Sequence, residues 1–194
     1  MPVSVHRSAG AVDSRGRGCR CRSAVRDGRG LQLGQQRQGE RRVAIVPDGA
    51  HDAEALLLAP DGRLHVVTKA DTGVVALYRF PSELQAGGTM RLERVGDPHP
   101  RENKDRITDG AVSPDGRWVA LRSTEALMLY RATDLLTGNW REVGRVPLGT
   151  LAEPQGEGVT FAADNALYLI SEGGGKKQPG RFARLTCALT ECSA

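Results

Sequence analysis

The chain has no run of about 18 apolar residues that could cross a membrane as a helix, and no hydrophobic secretory core follows Met1. Neither a membrane span nor an export signal is therefore expected in the chain as written. It also has no Gly-x-Ser-x-Gly elbow and no spacing that assembles a Ser, His, Asp triad. The first 42 residues lack lysine, aromatic residues and any sustained apolar periodicity. They hold ten arginines against only Asp13, Asp27 and Glu40, a local charge of +7, while the other 152 residues carry 17 basic and 20 acidic groups, or −3. The basic balance belongs to this arm alone, and residues 1–42 read as disordered. An arginine-rich arm can hold phosphate nonspecifically. The stronger reading is that a mixture of Arg, Gly and Ser without lysine is what an out-of-frame or misassigned start in a GC-rich gene could yield, so nucleic acid is not the expected partner.

Cysteine is scarce, at four residues. Cys19 and Cys21 lie in the arm, too close together and too poor in histidine company for a zinc site. For Cys187 and Cys192 two readings stand: a disulfide closing a small C-terminal loop, which fits an oxidising compartment, or two free thiols at a fraying terminus.

What the chain does contain is a repeat. The stretch His51 to Ala70, HDAEALLLAPDGRLHVVTKA, places the turn-forming Pro60-Asp61-Gly62 between an apolar run at residues 55–58 and a β-branched run at residues 64–68. It reads as a hairpin. Pro114-Asp115-Gly116 recurs 54 positions later between residues 111–112 and 118–121, and a worn copy, Ala163-Asp164-Asn165, follows after another 49. Asn165 stands where the glycine was, a residue that tolerates left-handed backbone. Third strands are expected at residues 74–79, 126–131 and 181–185, and fourth strands at 90–95 and 140–146, where apolar and charged residues alternate. Val43-Ala44-Ile45-Val46 reads as one outer strand left from an earlier unit.

Four antiparallel strands per unit of about fifty residues describe the blade of a β-propeller. The expected fold is all-β, a partial β-propeller of about three blades over residues 43–194; a β-sandwich or an irregular all-β arrangement is the alternative. Complete propellers close about four to eight blades into a ring. A partial ring exposes the flanks of its end blades and would be marginally stable, aggregation-prone, or dependent on self-association for closure.

Residues Asp52 to Leu57, Ile107 to Arg117 and Pro154 to Val159 resemble segments of uncharacterised bacterial propeller proteins, secreted or envelope-bound and actinobacterial in type. These are distantly similar to phytase-like, esterase-like and lactonase-like six-bladed propellers. The resemblance covers residues 43 to 192. It implies an extracellular or envelope setting, and further blades and a signal peptide ahead of this region, so the chain is expected to be a truncated member.

Aligning the units by their turns sets Glu54 and Glu157 at one position, with Asp109 a residue away in the middle unit. Such acids on innermost strands could form part of a carboxylate ring at one channel mouth, suited to Ca²⁺ or another divalent ion that polarises a phosphoryl or carbonyl oxygen. The structural alternative is that they satisfy backbone amides at strand entrances, or pair with Arg79, Arg131 and Arg184, which recur in the third strands. His51 with Asp52, the charged loop 97–105 and the glycine-rich stretch 172–177 are weaker candidates; the last lacks the spacing of a phosphate loop. Two functions follow: a binding or scaffold module for an unknown ligand, or a metal-dependent hydrolase of phosphate esters or lactones. The first is the primary expectation.

Overall fold

The computed structural model of the 194-residue chain describes residues 5–6, 21–27, 43–69, 74–84, 89–97, 99–100, 106–174 and 178–189. Strands are numbered along the chain. The three turn segments fold alike because their local chemistry is alike. The amide closing each turn donates to the carbonyl three residues back: Gly62 to Ala59 at 2.9 Å, Gly116 to Ser113 at 2.8 Å and Asn165 to Ala162 at 2.9 Å. All three closing residues are left-handed, with φ of 81°, 71° and 60°, which is why glycine or asparagine stands there. Each turn aspartate then accepts the amide two residues on, Arg63 to Asp61 at 3.0 Å, Arg117 to Asp115 at 3.1 Å and Ala166 to Asp164 at 3.1 Å.

These hairpins supply the first two strands of three antiparallel sheets. The first sheet orders β4 (Ala53–Leu58), β5 (Leu64–Thr68), β7 (Leu77–Arg79) and β9 (Glu93–Arg94). In the second, β11 (Ile107–Val112) is followed by β12 (Trp118–Ser123), β13 (Ala126–Arg131) and β14 (Glu142–Pro147). The third runs β15 (Gln155–Phe161), β16 (Leu167–Glu172), β17 (Arg181–Cys187), β2 (Cys21–Asp27) and β1 (Val5–His6).

The repeat extends beyond the turns. Every first strand carries one extra residue at the same place: Glu54 between pairs Ala53↔Thr68 and Ala55↔Val67, Thr108 between Ile107↔Ser123 and Asp109↔Arg122, Glu157 between Gly156↔Ser171 and Gly158↔Ile170. Each is a β-bulge, which bends its strand and re-aims the side chain. Across from it, the second strand carries at or next to its end a buried hydroxyl that captures the amide entering the third: Ala76 on Thr68 Oγ1 at 2.8 Å, Ala126 on Ser123 Oγ at 3.0 Å, Arg181 on Ser171 Oγ at 2.9 Å.

The sheets stack in chain order, always by the same two faces. The front face of the first (Ala55, Leu57, Val67, Leu77) packs on the back face of the second (Val119, Leu121, Met128, Tyr130). The front of the second (Ala120, Leu127, Leu129) packs in turn on the back of the third (Val159, Phe161, Leu167, Leu169, Ala183, Leu185). Strand β12 is accordingly buried at all six positions and β13 at five of six. At the outer end, between β13 and β14, a helical turn α1 (Ala132–Leu135) buries Leu135 and leads to Gly138. Gly138 touches Gly96 so closely that a Cβ on Gly96 would lie 2.7 Å from its Cα; both have positive φ, 90° and 70°. The first strands β4, β11 and β15 lie side by side in that order, β11 touching both neighbours.

Several expectations need correction. Residues 21–27 of the arm form β2, paired with β17 over seven residues from Arg181↔Asp27 to Cys187↔Cys21, because β17 offers it an open edge of backbone donors and acceptors. Apart from β1 and β2, the arm lies outside the described residues. Val43–Ile45 (β3) is not the remnant of an earlier sheet: it runs parallel to β8 (Thr89–Arg91), and Leu92 N–H donates to Ile45 O at 2.9 Å. The expected fourth strand at 90–95 therefore splits, β8 joining β3 and β9 joining β7. A further pair, β6 (Val74–Val75) with β10 (His99–Pro100), bridges the loops.

Candidate functional site

The bulges place the expected acidic residues at one end of the first strands, one set per sheet, and each acid is already engaged. Glu54 Oε1 pairs with Lys69 Nζ, which also lies 3.7 Å from Asp52. The hydrogen bond to Glu54 holds the Lys69 ammonium above its ordinary value. Asp109 Oδ2 accepts the Val159 amide at 2.7 Å, tying the second sheet to the third. Burial raises the Asp109 carboxyl, with amide hydrogen bonds from Val159 and Gly110 opposing. Glu157 Oε1 accepts from Gln155 Nε2 at 2.5 Å.

The register also separates them. Thr108, not Asp109, is the counterpart of Glu54 and Glu157; Asp109 corresponds to Ala55 and Gly158. Among the described residues no group of three His, Cys, Asp or Glu side chains is placed to hold a metal ion. The donors do not fit Ca²⁺, which asks for six to eight converging oxygens, roughly.

The pairing expected with third-strand arginines takes another form. Arg79 bonds Glu93 at 2.8 Å, Arg184 bonds Asp164 at 2.6 Å, and the Arg131 guanidinium lies 4.3 Å over the Trp118 ring. Arg79 faces His65 and Arg184 faces Tyr168, which are matching positions, whereas Arg131 faces Trp118, further along its strand. Leu77-Tyr78-Arg79 and Leu129-Tyr130-Arg131, identical in sequence, are thus out of register by two residues.

Sequence reasoning missed the group at the centre of this end. Arg122 sits opposite Asp109 with no exposed side-chain surface, and its Nη2 pairs at 2.5 Å with Glu153, only 3% exposed. Nη1 donates to Gly158 O at 2.7 Å and Ile170 O at 3.0 Å. One side chain of the second sheet so fastens the loop before β15 and the bulged segment of the third. Burial works against both charges, raising the Glu153 carboxyl and lowering the guanidinium, but each faces the other and the very basic guanidinium stays charged. Gly156 is required beneath it, since a Cβ there would sit 2.0 Å from Nη2. The one sequence signal was an arginine directly after the apolar run Trp118 to Leu121.

Along the inner strands runs an open groove of about 540 Å³, walled by Leu56, Leu58 and Pro60 on one side and Thr160 on the other, with Gly110 to Gly116 as its floor. At its turn end Asp115 is fixed by Ser113 Oγ at 2.6 Å and by Arg117 and Asn165. Burial pulls its carboxyl upward, but these hydrogen bonds prevail and hold it down at about 2.

The remaining candidates are structural in their contacts. His51 lies 3.4 Å from Asp48 and 5.8 Å from the Tyr78 ring, and the Tyr78 hydroxyl donates to Asp48 at 2.7 Å. In loop 97–105, His99 stacks on Trp140, while residues 98 and 101–105 lie outside the described set, as do residues 175–177 of the glycine-rich stretch. Cys187 is disulfide-bonded; Cys192, its expected partner, lies outside the described residues, and the register sets Cys21 opposite Cys187. No helix among the described residues is long and apolar enough to cross a membrane. No protein-family model matches the chain, and no curated protein matches it.

Proposed function

We propose that the three sheets are consecutive blades of a β-propeller and that the chain is a binding or scaffold module, with the groove along β4, β11 and β15 as its ligand-facing surface. The observation that carries this reading is the state of the charged groups. Glu54, Asp109, Glu157, Arg122 and Glu153 are all committed to contacts within the chain, whereas the groove is open and apolar at Gly110, Ala111, Val112 and Val159. Head-to-tail stacking of four-stranded sheets, with first strands adjacent in chain order, supports the blade assignment. The disulfide at Cys187 supports an oxidising compartment, in keeping with the secreted or envelope setting that the sequence resemblance implies.

The test is a Ca²⁺ titration followed by thermal unfolding, alongside turnover of a phosphate monoester and a lactone. A binding module shows no turnover and no Ca²⁺-dependent rise in melting temperature. A rise that disappears in the double substitution Glu54→Gln, Glu157→Gln, or turnover that does, would replace this reading with the metal-dependent hydrolase.

A further inference from the structure

Among the described residues the stack leaves two faces without a neighbouring sheet: the back of the first and the front of the third. On the first, Leu56 and Leu58 are 56% and 60% exposed; on the third, Ile170 and Phe182 are 56% and 38% exposed, with Tyr168 stacked on Phe182 at 5.2 Å. These are the very kinds of face that pack against each other twice inside the chain. Leu58 occupies the position of Val112 and Phe161, and Ile170 that of Val67 and Arg122, all of which are packed by an adjoining sheet. The open back face is trimmed at its outer end, where Val46 and Phe80 pack on Tyr78, so what stays open is the inner strip that a next sheet would meet.

We infer that a second copy of this chain covers both, its third-sheet front face packing on the first-sheet back face of its partner, and the reverse contact closing the pair into a two-copy ring. The occupant is a second copy because the new contact continues the established front-on-back interface with the same register positions. An interface between unlike patches closes only if the rotation does. Two copies give six sheets, inside the range of about four to eight that closed propellers adopt, and three copies would exceed it. The copy number therefore rests on the blade assignment, while the front-on-back contact rests on the stacking alone.

Sedimentation equilibrium of the full chain, without reductant, tests this. Twice the 20.8 kDa chain mass is expected. Because each contact uses one Leu56 and one Ile170, Leu56→Lys and Ile170→Lys should each weaken association on the order of a hundredfold or more by setting a charge against an apolar face. Thr133→Lys, at an exposed position of α1 in the second sheet's outer connection, should leave it unchanged. Circular dichroism checks that the variants stay folded. A single-copy wild type, or a dimer sensitive to only one of the two substitutions, overturns the front-on-back contact. Open-ended ladders sensitive to both would overturn the ring and the blade assignment with it, leaving the metal and turnover results unaffected.

Discussion

The middle sheet and its two neighbours are written in the same repeat, yet they live in different solvents. Leu127 on β13 and Phe182 on β17 occupy one register position, and the first has no exposed surface while the second is partly open. Arg122 and Ile170 make the same contrast in reverse: the charged residue is sealed and the apolar one faces water. Burial here is decided by whether a sheet follows, and the residue type comes second. A charge can occupy the sealed position because Glu153 and two carbonyls meet it there.

Removing Glu153 breaks that contrast most severely. Glu153→Ala leaves Arg122 buried without its carboxylate and should cost about 3–5 kcal/mol in urea unfolding. Leu127→Ala should cost about 2–5 kcal/mol, against under about 1 kcal/mol for Phe182→Ala, both measured in the Ile170→Lys background so that protomers remain apart. Gly156→Ala, forcing a methyl into the guanidinium, should cost about 1–3 kcal/mol, while Ala53→Gly at the equivalent exposed position changes stability by under about 1 kcal/mol.

Acid titration sharpens the comparison further. The Asp115 carboxyl is depressed to about 2, so its contribution is present above the ordinary 3.8 and is lost as pH falls from there toward 2; Asp115→Asn should remove that stretch of acid dependence. Asp109 has the opposite sign. Its raised carboxyl favours the folded state only while protonated, so Asp109→Asn should match the wild type in acid and gain on it as pH rises through and above 3.8.

What the sequence made legible was local. Pro-Asp-Gly chemistry predicts the hairpins and Asn165 the left-handed residue, because these depend on neighbours a few positions away. The spacing likewise exposes four-strand units. Strand β2 was hidden since its residues carry almost no apolar pattern; it forms by pairing with an edge, a property of β17. The acidic set misled because spacing does not show side-chain partners: Thr108 stands where an acid would complete the series, and Lys69, the Val159 amide and Gln155 already engage the three acids. Arg122 was concealed because its partner Glu153 lies 31 residues further along the chain and only the folded contact joins them.

Hydrogen exchange along the repeat tests the stacking most directly, at a concentration where single copies prevail. Two-sided burial predicts that amides of β12 and β13 exchange only through global unfolding, while those of β4 and β2 exchange through smaller openings of lower free energy. Middle-strand amides that exchange as readily as those of β4 would contradict the account, because the second sheet would then not be held between the other two.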